Sequence, residues 1–340
     1  MIAILSLISS FLLLPMPADH HLAPDATEVQ VKKVSAQDDL AIFAVKFFKK
    51  PFSELVITCH SSSQDMAESG LFDSGIYYVY DLQGNKLGII KSVPSNESED
   101  ETLYHDEVRA LNTLKKIPFS HFHCVKLLGT SCAEIAGEHR LVLAETVAKG
   151  ETLNQLIKDY GKMTSSSGKK ELSAKIEAGM RETGAALAEL HVKSPKSKAN
   201  ANYLSSYNGY LPGPYGIIHG DAHPGNIFYD ATSGEVTFID FQMTPSTSIG
   251  GPVGVDIGQF LACVELMSKY RKIPENQLSN WKKAFLDSYQ ETGPAISESE
   301  MTYYETNVYN RYANMSEIEK TDPDYHQATF VKDYSIQKIS

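Results

Sequence analysis

Between Gly216 and Phe241 the chain reads GIIHGDAHPGNIFYDATSGEVTFIDF, a stretch that concentrates residue types able to do chemistry. Ile217 and Ile218 lead into a polar loop, Ile227 to Tyr229 leave it as a short strand, and Glu235 to Ile239 return as a second strand ending at Asp240. Two carboxylates, Asp221 and Asp240, are thereby delivered by a loop and by a strand end, with the amide of Asn226 between them. Oxygen donors in that arrangement suit a hard divalent cation and leave one carboxylate over as a base. Phosphoryl transfer needs those parts. His219 and His223 flank Asp221 and offer a transition-metal site of a metal-dependent hydrolase as an alternative, but no second His-rich cluster supplies its remaining ligands.

The elements that must hold these residues are legible in outline. Ile76–Asp81 and Lys86–Val93 are β-rich runs on either side of Leu82-Gln83-Gly84-Asn85, which predicts a hairpin with a tight turn. Tyr104, Val108, Leu111 and Leu114 recur at helical spacing and predict a helix over 102–116, with the acidic run 97–101 as a solvated lead into its N-terminus rather than a metal site. Val125–Leu128 and Arg140–Leu143 read as further strands, Thr152–Asp159 as the helix that follows, and the mainly β part ends near residue 146. Glu171–His191 is a long helix with Ile176, Met180, Leu187 and Leu190 on one face, interrupted only by Gly184. The polar segments 163–170 and 192–201 read as exposed loops, and later helices fall around 281–289 and 301–312.

Composition bounds the rest. With 340 residues, 42% hydrophobic and 21% charged, the chain is that of a folded protein of about two domains. A net charge of −11, from 42 acidic and 31 basic residues, argues against a nucleic-acid partner, since phosphate neutralisation needs a basic surface. The 4 cysteines are too few for a disulfide scaffold, and no C-x-x-C pair suggests a zinc ribbon or a thioredoxin-like site. Ile2–Leu14 is apolar, too short to span a bilayer, and broken by Pro15-Met16-Pro17-Ala18. It fits the apolar core of a signal peptide, with residues 1–24 as signal and linker, although no Lys or Arg precedes Lys32; the alternative is a docked N-terminal element in a cytoplasmic protein. Asn96-Glu97-Ser98 and Asn314-Met315-Ser316 are sequons that matter only if the chain is exported. No other run reaches the length of a membrane span, no internal repeat is present, and oligomeric state leaves no signature.

The pattern His219-x-Asp221-x-x-x-x-Asn226, followed by Ile239-Asp240-Phe241, resembles the catalytic and metal-binding motifs of the protein-kinase-like superfamily. Its spelling, HGDAHPGN, resembles the aminoglycoside phosphotransferase, choline kinase and fructosamine kinase branch, in which a Gly follows the motif His and a His stands two residues after the Asp. The resemblance spans about residues 70 to 290 and implies an α+β, bilobal protein-kinase-like fold with a β-rich lobe over 25–146 and a mainly helical lobe over 147–340. Lys91, closing Gly88-Ile89-Ile90-Lys91, resembles the V-A-I-K lysine that pairs with ATP phosphates, with Glu107 as its salt-bridge partner. Leu141-Val142-Leu143-Ala144-Glu145 resembles the strand entering the adenine hinge, which implies that Glu145 and Val147 bind the cofactor. Val255-Asp256-Ile257-Gly258 resembles the segment whose Asp braces the catalytic loop.

The resemblance further implies an ATP- and Mg²⁺-dependent kinase acting on a hydroxyl or amine of a small molecule. Asp221 is then the base, His223 a phosphate contact or a loop residue, His219 a packing residue, and Asn226 and Asp240 the metal ligands. The chain departs from the protein-kinase pattern at Gln242, where those enzymes carry the Gly of D-F-G, and over 68–75, which holds only Gly70 and Gly75. A P-loop is absent. Glu298, Glu300 and Glu305 with Tyr303, Tyr304, Tyr309 and Tyr312 suit a cationic acceptor such as an amino sugar or a quaternary amine, or else form an ordinary solvated amphipathic helix. An exported protein or lipid kinase and a nucleotide-binding pseudokinase are the alternative functions; the intact Lys91, Asp221, Asn226 and Asp240 count against the second.

Overall fold

The computed structural model describes residues 39–59, 75–95, 99–135, 137–193, 213–241, 250–314 and 325–339. The apolar run 2–14, the sequon at 96–98 and Gln242 lie outside them, as does most of the segment 192–201. The chain divides into two compact units, residues 1–112 with 125–147, and residues 113–124 with 148–340.

In the first unit, helix α1 (Asp39–Phe48) precedes strands β1 (Leu55–Cys59), β2 (Ile76–Asp81) and β3 (Lys86–Pro94), then helix α2 (Glu99–Leu114). Past the short strand β4 (His123–Cys124), which is counted with the second unit, come β5 (Leu127–Ile135) and β6 (Glu138–Glu145). The five strands form one antiparallel sheet in the order β1-β2-β3-β6-β5. The expected hairpin is present, with Ile76 opposite Lys91 and the Asp81 carboxylate accepting N–H bonds from Gln83 and Asn85 to close the turn. Alternation along the strands sorts side chains onto two faces. Ile90, Val142 and Ala144 pack with Leu40, Phe43 and Ala44 of α1, whereas Val93, Leu141 and Leu143 pack with Tyr104 and Val108 of α2. Lys91 and Glu145, each an even number of residues from Val93 and Leu143, are therefore on the α2 face.

The second unit holds β4 and β7 (Glu151–Thr152), helices α3 (Leu153–Lys162) and α4 (Ser166–Val192), then β8 (Tyr215–Ile217), β9 (Ile227–Asp230), β10 (Glu235–Phe238) and β11 (Gly250–Pro252). Helices α5 (Gly254–Tyr270), α6 (Glu275–Thr292), α7 (Glu298–Ala313) and α8 (Tyr325–Ile339) complete it. Strands β4-β10-β9-β7 make a small sheet in which β4 runs parallel to β10, and β8 pairs with β11. Helix α5 is buried from Gly254 to Ser268, a helix enclosed on all sides that carries Asp256, Gln259 and Glu265 inside with its apolar residues. Gly184 marks the crossing of α4 and α6: a Cβ there would sit 2.3 Å from the Phe285 carbonyl oxygen, so only glycine permits this approach. No described helix is long and apolar enough to cross a membrane.

Two expectations need correction. The segment 163–170 is not a loop throughout, because Ser165 caps α4 by accepting the Gly168 N–H at 3.1 Å and the helix starts at Ser166. Its first turns face water and carry no apolar stripe, so periodicity could not reveal them. The strand placed at 125–128 is β5, which runs on to Ile135 with alternate residues exposed.

Candidate active site

In the first unit the side chain of Lys91 meets two carboxylates. Its Nζ donates to Glu107 Oε1 at 2.7 Å and lies 3.1 Å from Glu145 Oε1. Glu107 comes from the buried stripe of α2 and Glu145 from the end of β6, where its side chain is 1% exposed. Glu145, which the resemblance places at the end of the strand entering the adenine hinge, has its carboxylate turned onto Lys91. The period-2 pattern Leu141, Leu143, Glu145 was the available signal, because it sets all three on the face of Lys91. Val147 is half-buried in the irregular segment after β6.

In the second unit the loop 218–226 is held from below by α5. Asp256, fully buried in the first turn of that helix, accepts the backbone N–H of His219 at 2.7 Å and of Gly220 at 2.9 Å. Gly220 has φ +86°, the left-handed conformation that L-residues disfavour, and this lets two successive N–H groups converge on one carboxylate. His191 Nε2, 3.1 Å from Asp256 Oδ2, and Tyr289 Oη, 2.8 Å from His191 Nδ1, extend the brace into α4 and α6.

The loop's own side chains are fixed in turn. His219 Nδ1 accepts the N–H of Asp221 at 3.2 Å, so its proton is on Nε2, which faces the Ile239 carbonyl at 2.8 Å. Burial pushes its pKa down and keeps the ring neutral, in keeping with a packing residue. His223 Nδ1 accepts the Gly225 N–H at 3.0 Å, and its Nε2 lies 3.6 Å from Asp221 Oδ2. Its pKa is pushed down to about 4 by burial.

Asp221 is 3% exposed. Its Oδ1 accepts from Gln259 Nε2 and its Oδ2 from Asn226 Nδ2 at 3.2 Å. Burial pushes its pKa up to about 6, against the pull of His219 and Arg311. The carboxylate is thus mainly ionised at neutral pH and sits closer to that pH than an exposed Asp, as a general base requires. Gln259 escaped the sequence reading, as nothing in its surroundings distinguishes it from any polar residue of a buried helix.

Asn226 and Asp240 offer the oxygens for a cation. The Asn226 amide nitrogen is committed to the backbone and side chain of Asp221, while its buried Oδ1 has no hydrogen-bond partner among the described residues. A buried carbonyl oxygen left in that state costs about 1–3 kcal/mol, which a divalent cation would recover. Asp240 follows β10 with φ +56°, a left-handed turn that diverts its carboxylate from the strand direction. Such a backbone costs about 1–2 kcal/mol and is seldom kept without a use. The donor set of amide and carboxylate oxygens fits a hard divalent ion.

The tyrosines of α7 are otherwise engaged. Tyr304, Tyr309 and Tyr312 are buried, Glu300 closes a capping box with Ser297, and Glu305 lies 3.5 Å from Lys282. These side chains build the helix and its packing. Tyr303 stays half-buried and Glu298 exposed.

An antiparallel sheet bearing a Lys–Glu pair, and a braced H-G-D loop followed by a strand-end Asp, are the parts that the resemblance to protein-kinase-like phosphotransferases implies. Residues 198–297 match the model of APH, the phosphotransferase enzyme family. No curated protein matches the sequence. Among solved structures, a glucosamine kinase matches with a TM-score of 0.52 and 13% identity over 92% of this chain and 85% of that one, which shows the shared fold. Amicoumacin kinase hAmiN, in complex with AMP-PNP, Ca²⁺ and Ami, matches with a TM-score of 0.49 and 16% identity over 77% of this chain and 85% of that one.

Proposed function

We propose that this protein transfers the γ-phosphoryl group of ATP, with Mg²⁺, to a hydroxyl, or less often an amine, of a small molecule. The observation that carries the reading is the loop of the second unit, where the buried Asp221 carboxylate, held by Gln259 and Asn226 and with its pKa pushed up to about 6 by burial, is presented beside an amide oxygen with no hydrogen-bond partner among the described residues. Asn226 and Asp240 are the residues that would hold the cation, which supplies neutralisation of the phosphate charge when bound. Lys91, oriented by Glu107 and Glu145, is assigned to the phosphates, and Val147 to the nucleotide base. Asp221 accepts the proton of the attacking hydroxyl as the O–P bond forms and the bond to the leaving ADP breaks. His223, neutral with its proton on Nε2 at 3.6 Å from Asp221 Oδ2, is not a standing positive charge.

The test is a screen of the purified full chain with Mg·ATP against amino sugars, choline-like amines, glycated amines and a generic protein substrate, following ADP release. Acceptor-dependent turnover with one of the small molecules is expected. Turnover with the protein substrate alone would refute the small-molecule assignment, and Mg·ATP binding with no turnover on any acceptor would identify a pseudokinase.

A further inference from the structure

Helix α5 supports the loop 218–226 twice. Asp256 holds its backbone, and Gln259, three residues on and on the same face of the helix, reaches the side chain of Asp221. The far end of Gln259 is also occupied: its Oε1 accepts from Arg311 Nη2 of α7 at 2.6 Å. A guanidinium has donors only, so Gln259 must turn its carbonyl to Arg311 and its NH₂ to Asp221. The amide orientation, ordinarily free to invert, is thereby set by chemistry. Inverted, Gln259 would point a carbonyl oxygen at a carboxylate and push it aside.

The packing of α7 brings Arg311 to this point. A Cβ at Gly258 would meet Tyr304 Cβ at 2.4 Å, so the two helices touch where Gly258 leaves room. Tyr304, Val308, Arg311 and Tyr312 recur at helical spacing, and the three apolar or aromatic members are buried. Arg311 therefore leaves the edge of the stripe that faces α5.

We propose that Gln259 and Arg311 are positioning residues for Asp221, Gln259 by holding Oδ1 and Arg311 by dictating which end of the Gln259 amide does so. This rests on the phosphotransferase reading, in which Asp221 is the base. With Asn226 on Oδ2, the carboxylate is held from both sides and cannot rotate away from the acceptor. In positioning, Arg311 acts through Gln259, so the two residues form one chain for orienting the carboxylate, and the direct pull of the Arg311 charge on Asp221 is lost equally in Arg311→Met and in the double variant.

The experiment compares wild type, Gln259→Leu, Arg311→Met, the double variant and Arg311→Lys as full chains. It measures ADP release at saturating Mg·ATP with water as acceptor, the Kd of Mg·ATP by calorimetry, and the melting temperature. Each of the two single variants should lose about 10- to 100-fold in kcat, the scale of a misplaced reacting group, and the double variant no more than the worse single one. The Kd should stay within about two-fold, and Arg311→Lys, still a pure donor, should recover most of the rate. A kcat within about two-fold of wild type in either single variant, additive losses, or a Kd that rises in step with the fall in kcat would overturn the proposal. If wild type neither binds Mg·ATP nor releases ADP, the phosphotransferase reading fails. The crystal structure of Arg311→Met then decides the positioning separately: an inverted Gln259 amide or a rotated Asp221 carboxyl upholds it, and an unchanged pair refutes it.

Discussion

Glu189, near the C-terminal end of α4, offers a quantitative test of how the second unit is assembled. Its carboxylate accepts the backbone N–H groups of Ser120 (2.7 and 2.9 Å), His121 (2.7 Å) and Phe122 (2.9 Å), and lies 2.6 Å from Lys193 Nζ. Burial works against its charge, but Lys193 and the three N–H groups outweigh that and hold the pKa down to about 2, from an ordinary 4.5. At about 1.4 kcal/mol per unit the shift sets a ceiling near 3.4 kcal/mol, and solvent at Ser120 and His121 reduces it to about 1–2 kcal/mol. Because the folded pKa is depressed, this stabilisation is complete above about pH 4.5 and disappears as the pH falls towards 2. Glu189→Gln should therefore lower unfolding stability by about 1–2 kcal/mol at pH 7, and the gap to wild type should narrow steadily between pH 4.5 and 3. Urea unfolding followed by the fluorescence of Trp281, the single tryptophan, reports on the same unit. Amide exchange at 120–122 should accelerate in the variant. A gap that is the same at pH 7 and pH 3 would show that the Glu189 charge carries none of the stability, and exchange at those amides that does not change would show that the clamp does not hold them. The clamp matters to the site because residues 120–122 lead into β4, and β4 pairs with β10, the strand that ends before Asp240.

Three further outcomes are expected. Asp240→Ala should weaken Mg·ATP binding and abolish turnover, whereas Asp221→Asn should keep Mg·ATP binding within a few fold and lose about 10²-fold or more in transfer; calorimetry beside a transfer assay separates them, and the reverse pattern would exchange the roles of base and metal ligand. Lys91→Ala and Glu107→Ala should behave as one unit, so that the double variant loses little more activity than Lys91→Ala alone; additive losses in log rate would show that Glu107 does not act by orienting Lys91. Gly184→Ala should destabilise the crossing of α4 and α6 by about 1–3 kcal/mol in thermal or urea unfolding, because its Cβ meets backbone rather than a movable side chain. An unchanged melting temperature would mean that the helices separate there at no cost.

Local spacing carried much of this protein. The hairpin around Gly84, the loop from His219 to Asn226, the return strand to Asp240 and the long helix through Gly184 were readable because each depends on residues close together in the chain. Lys91 and Glu107 could be nominated together through the family resemblance, and their side chains do meet at 2.7 Å. Tertiary structure decided what spacing cannot encode. The turn of Glu145 onto Lys91 depends on which sheet face α2 covers. The path from Arg311 through Gln259 to Asp221 joins three elements, and the Glu189 clamp spans most of a helix and a loop; neither leaves a periodic trace, since each is a single side-chain contact between distant segments. The tyrosines of α7 show the converse. Their composition suggested a ligand surface, but the same aromatic stripe fills a core once α5 lies beside it, and only packing distinguishes those two uses of one pattern.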